Sequence, residues 1–186
     1  VGWRIHRIQV DGFAGAPPAA NAQTGSAPTP VAAPVAEEIA RYIREQGLTR
    51  PAVVGHSMGG TIGLMLAARH PDQVGRLMVV DMVPFMGAMF AAPGATAETA
   101  APIADQIWAA QANSPRDAYV AQATASITGM INTEGRRELA LQNMRDSDQK
   151  VSAAAFRELV ATDLRPELSR ITAPTEVLYV KFNDAR

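Results

Sequence analysis

Val53-Val54-Gly55-His56-Ser57-Met58-Gly59-Gly60 places a serine between two glycines, after one apolar run and ahead of a longer one. A serine alcohol is a weak nucleophile until a neighbouring base takes its proton and the backbone presents it on a sharp turn. Glycines two positions before and two after Ser57 leave room for such a strand-to-helix turn, the nucleophile elbow. Three fixed residues at about 7% each match by chance only about 0.06 times in a chain of this length, so the pattern is informative. The alternative is a glycine-rich turn whose serine merely caps the following helix.

The elements that must hold Ser57 are readable from the apolar spacing. Pro51 to Val54 reads as a short strand, and Met58 to His70 as a helix apolar almost all round, stopped by Pro71. Arg76 to Asp81 is the next strand and Thr175 to Val180 a later one. Upstream, Val35, Ile39 and Ile43 share a helical face that ends at Gly47. Trp3 to Val10 alternates and is rich in Ile and Val, which predicts a strand leaving through the turn Asp11 to Gly15. Residues 16–30 predict an extended surface loop. Short connections between strand, helix and strand predict an α/β fold with a mostly parallel sheet and helices on both faces. Residues 84–165 are different: about 96–112, 115–131, 134–145 and 150–162 carry helical spacing and no strand signal. They predict a helical cap inserted into a single domain spanning 1–186.

Bulk composition narrows the chemistry. The 186 residues are 47% hydrophobic with a net charge of −1. The basic residues are scattered, which argues against a nucleic-acid partner. With no cysteine and three separated histidines, neither disulfides nor a metal site is expected. The most apolar stretch, Leu77 to Phe90, is interrupted by Asp81 and Pro84 and is too short to span a bilayer. No targeting signal is readable at the N-terminus, and the cytoplasm is the preferred compartment. Oligomeric state leaves no trace in the sequence.

Taken together, the Gly55 to Gly60 segment, the helix ending Ala68-Arg69-His70-Pro71, the strand ending at Asp81, the helical insertion and the strand introduced by Ile171-Thr172-Ala173-Pro174 resemble the α/β-hydrolase superfamily. The likeness is greatest to its cap-bearing esterase and lipase-like members. It implies a cofactor-free serine hydrolase that cleaves carboxylic esters or related acyl compounds through a Ser57 acyl-enzyme. The Met58 backbone N–H would be one donor to the oxyanion. For the acid it offers two candidates: Asp81 at a strand's carboxyl end, which is preferred, and Asp184 after the last strand. The base is a histidine beyond a further strand, and no histidine follows His70. His56, as the variable residue of the elbow, His70, at a helix end, and His6, remote in chain order, are poor substitutes.

The chain is therefore expected to be a piece of a longer hydrolase, truncated at both ends and inactive alone. The alternatives are a non-catalytic binding or scaffold relative, or the same fold with other chemistry such as cofactor-free halide oxidation or C–C hydrolysis. Met82, Phe85, Met86, Met89 and Phe90 suit an apolar acyl pocket, or equally ordinary packing. Trp108 is open to the same two readings.

Overall fold

The computed structural model describes residues 2–20 and 27–179. Three strands form one parallel sheet in the order β1 (Ala52–His56), β2 (Arg76–Val80), β3 (Thr175–Leu178). Its register pairs Val53 with Leu77, His56 with Val80, and Val80 with Leu178. Before the sheet comes α1 (Ala32–Glu45), and α2 (Met58–Arg69) links β1 to β2. Between β2 and β3 run α3 (Ala97–Asn113), α4 (Arg116–Met130), α5 (Glu134–Asp146) and α6 (Gln149–Ala161). All four fall within two residues of the limits that the apolar spacing predicts.

By internal packing the chain divides into two compact units. One takes the residues up to Thr29 with Gln106–Phe156, the other Pro30–Asp105 with the residues from Arg157 onward. The sheet, α1 and α2 belong to the second. There α2 packs against β1 and β2 on one side and α1 on the other, which is why it is apolar all round. Met65, Leu66, Leu77 and Val79 are at most 2% exposed, and each such burial stabilises by about 1.5–3 kcal/mol. The helix can approach the sheet this closely because Gly63 faces it: a Cβ there would lie 2.9 Å from Leu77 Cδ1. On the sheet's other face Val54 is 68% and Leu178 51% exposed.

Both ends of α1 are satisfied, by different means. At its C-terminus Gly47 takes φ +60, and the N–H groups of Gly47 and Leu48 donate to the carbonyls of Arg44 and Ile43, a Schellman motif. The N-terminus has no capping side chain of its own. Instead the Glu158 carboxylate, carried on α6, accepts the N–H groups of Val31, Ala32 and Ala33 at 2.5, 2.7 and 2.9 Å. A negative charge at a helix N-terminus is favourable, and these three donors have no intrahelical acceptor. Glu158→Ala would leave them in a buried setting without that acceptor, at a cost of about 3 kcal/mol. For a chain of this size the midpoint of thermal unfolding of the whole protein should drop by about 6–12 °C. Glu158→Gln, which keeps one carbonyl oxygen, should recover part of that. A shift below about 2 °C for the alanine variant would show that the cap contributes little.

In the other unit, the Asp11 to Gly15 turn is stitched to the α5–α6 junction. Gly15 N–H donates to Asp146 O, Asp148 N–H to Gly12 O, and Ala14 N–H to Ser147 Oγ. Gly12, at φ +82, would drive a Cβ to 2.8 Å from Val151 Cγ1. The predicted strand Trp3 to Val10 does not form: no ladder is present there. Trp3 is 90% and Ile5 81% exposed. Alternation makes a segment compatible with a strand, but only a paired neighbour holds one, and among the described residues none pairs with it.

Candidate active site

Ser57 occupies the single residue between β1 and α2, with φ 51 and ψ −121. A positive φ at a residue other than glycine is uncommon and costs on the order of 1–3 kcal/mol unless the surroundings impose it. Here they do. The Ser57 N–H donates to Val80 O at 2.9 Å, which continues the β1–β2 ladder into the turn. The Ser57 carbonyl accepts from Gly60 N–H at 2.8 Å. Gly55 makes the turn possible: a Cβ there would lie 2.0 Å from Gly59 O.

The second glycine plays a different part from the expected one. At Gly59 a Cβ would meet nothing within 4 Å, whereas at Gly60 it would press on Val79 Cγ1 and Met82 Cβ, both at 3.0 Å. Room at this turn is therefore needed at Gly55 and Gly60, and Gly59 is not sterically required. Spacing alone could not separate Gly59 from Gly60, because the distinction depends on which one faces β2.

Asp81 follows β2 directly and also has a positive φ, 51, a conformation aspartate tolerates better than most residues. Its N–H donates to Leu178 O at 2.7 Å. Since His56 pairs with Val80, Ser57 and Asp81 leave the carboxyl ends of neighbouring parallel strands side by side. Ser57 is partly buried and Asp81 exposed. Met58 opens α2, where the first N–H groups have no intrahelical acceptor and the helix dipole favours negative charge. Asp184 lies outside the described residues.

The histidines are dispersed. His70 caps the far end of α2, with Nε2 2.9 Å from Glu37 Oε2. Twelve residues of helix put it about 18 Å from Ser57. His56 is the exposed last residue of β1, and His6 belongs to the other compact unit. Of the apolar residues after Asp81, Met82 and Met86 are half-buried, and the others separate into two groups. Phe85 is 3% exposed and packs with Ala95 and Ala100, so it is core. Val83, Met89 and Phe90 are 45%, 71% and 42% exposed.

A parallel sheet whose strand turns through a strained serine into a buried helix is matched by a family model described as the alpha/beta hydrolase fold, over residues 2–161. The chain belongs to that family. A Serratia proteamaculans protein named as a carbamate hydrolase, RutD, is 30% identical over 160 residues, covering 78% of this chain and 53% of that protein. A mouse protein named sn-1-specific diacylglycerol lipase ABHD11 is 40% identical over 50 residues, 27% of this chain and 16% of its own. Among solved structures, a hydrolase from Pseudomonas aeruginosa superposes with a TM-score of 0.67 at 21% identity, covering 91% of this α/β-hydrolase chain and 58% of that one. At that identity the likeness carries the fold alone. The chain spans about half the length of the RutD protein and of the Pseudomonas hydrolase. No helix among its described residues is long and apolar enough to cross a membrane.

Proposed function

We propose that the whole protein is a serine hydrolase of carboxylic esters or related acyl compounds, with Ser57 as nucleophile. The observation that carries this reading is the strained φ of Ser57 at a strand-to-helix turn, held by Val80 O and flanked by Asp81. A backbone held away from its preferred conformation at one serine, with a carboxylate on the next strand, is the setting that nucleophilic catalysis needs. In this scheme Ser57 Oγ attacks the acyl carbon and passes its proton to a histidine base. The leaving alcohol departs with that proton, and water then releases the acid and restores Ser57. Asp81 orients the base, and the Met58 N–H meets the charge on the carbonyl oxygen.

The base itself is assigned to a part of the whole protein outside this sequence, since His70 is remote along α2, His56 is the exposed last residue of β1, and His6 belongs to the other compact unit. Residues 84–165, with α3 to α6, are proposed as the cap of such an enzyme. The names of the two relatives, a carbamate hydrolase and a diacylglycerol lipase, both fall within acyl compounds. Incubating the whole protein with a fluorophosphonate probe and mapping the adduct by mass spectrometry should locate it on Ser57. Ester turnover with Ser57 unmodified by the probe would defeat the assignment.

A further inference from the structure

The segment that leaves Asp81 is pinned from the far end of the helical insertion. Leu164 N–H donates to Pro84 O at 2.9 Å. Arg165 then makes three kinds of contact. Its Cζ lies 4.6 Å from the centroid of the Phe85 ring. Its Nη2 donates to Ala95 O at 2.9 Å. Its Nε and Nη2 donate to the two Asp163 carboxylate oxygens at 2.8 and 2.6 Å. The Asp163 side chain is 14% exposed, and its hydrogen bond with Arg165 holds its carboxyl below the usual carboxylate range. The pair is thus charged at neutral pH. Gly87 closes the arrangement, since a Cβ there would lie 2.3 Å from Val160 O.

Only a planar guanidinium can bind a carboxylate with two N–H groups, donate to a carbonyl and lie over a ring at once. One side chain therefore fixes Phe85 and Ala95, the two ends of a stretch whose middle exposes Met89 and Phe90. We propose that Arg165 is a positioning residue for acyl-chain selectivity. By clamping the stretch between Phe85 and Ala95 it holds Met89 and Phe90 as an apolar surface for the acyl chain of a substrate bound at Ser57. The inference rests on the Ser57 reading.

The test uses the whole protein with p-nitrophenyl acetate and p-nitrophenyl octanoate, comparing the ratio of their kcat/KM values. Arg165→Met should lower the octanoate-to-acetate ratio about tenfold, and Arg165→Lys, which keeps the charge, only about threefold. A role confined to stability would lower both esters alike and leave the ratio unchanged. Phe85→Leu removes the ring face while keeping bulk, and should shift the ratio in the same direction; it decides the matter if Arg165→Met does not fold. An unchanged ratio with Ser57 labelled by fluorophosphonate overturns this inference alone. Wild-type Ser57 left unlabelled defeats the serine-hydrolase reading, and the inference falls with it.

Discussion

Ser57→Ala is expected to lower ester turnover by the whole protein by about 10⁶-fold while leaving it folded. The size of the loss follows from what the alcohol does: without Oγ no acyl-enzyme forms, and the base has nothing to activate. A residual acceleration of about 10³–10⁴ over water would come from helix N–H groups and substrate binding, which alanine leaves in place. Folding should tolerate the change, because the serine side chain makes no capping bond to α2. Alanine at φ 51 experiences much the same backbone strain as serine. Steady-state kinetics with a near-ultraviolet spectrum as the fold control checks both halves. More than about one hundredth of wild-type kcat in a homogeneous preparation would remove Ser57 from the mechanism.

Gly55→Ala should do the opposite, abolishing the structure around the site and not only its chemistry. The new methyl carbon would lie 2.0 Å from Gly59 O, 2.3 Å from Gly59 C and 2.7 Å from Gly60 N. All three are backbone atoms of the first turn of α2, so no rotamer change relieves the overlap. The helix would have to move off a sheet against which Gly63 lets it pack at contact distance. We expect destabilisation above about 4 kcal/mol, seen as loss of cooperative unfolding or of soluble protein. Gly59→Ala is the matched control. Nothing lies within 4 Å of a Cβ there, and alanine is about 1 kcal/mol the better helix former. Equal stabilities for the two variants would mean that the turn is held by something other than close backbone approach.

Helix α1 and strand β2 were legible because each hides one apolar face, and hiding a face leaves a period in the sequence; β3 is exposed along its length and was legible from its composition. Helix α2 was readable for the opposite reason, having partners on two sides. The adjacency of Ser57 and Asp81 followed from parallel strands ending at a common edge. What stayed hidden depends on partners far along the chain. Trp3 to Val10 has the composition of a strand, yet pairing is a property of two segments and cannot be read from one. Glu158 capping Val31 to Ala33 spans some 125 residues, and a glutamate within an amphipathic helix carries no mark of that role. Arg165 is equally inconspicuous, as one arginine after a short helix. Phe85 and Met89 look alike as apolar residues after Asp81, and only packing separates the core residue from the exposed one.

The bond from Ser57 N–H to Val80 O divides labour between two consecutive amides. Serine's own amide is committed to the sheet, so it is not the one to answer an anion forming beside Oγ. In the proposed mechanism that duty falls one residue forward, to Met58, whose N–H is among the first of α2 and has no intrahelical acceptor. A backbone ester at Met58, made by replacing its peptide N–H with oxygen, would thus weaken turnover without loosening the turn. The same replacement at Ser57 would loosen the turn itself. On the proposed mechanism the strand supplies the serine's posture and the helix its electrostatics, and the boundary between them falls at a single peptide bond.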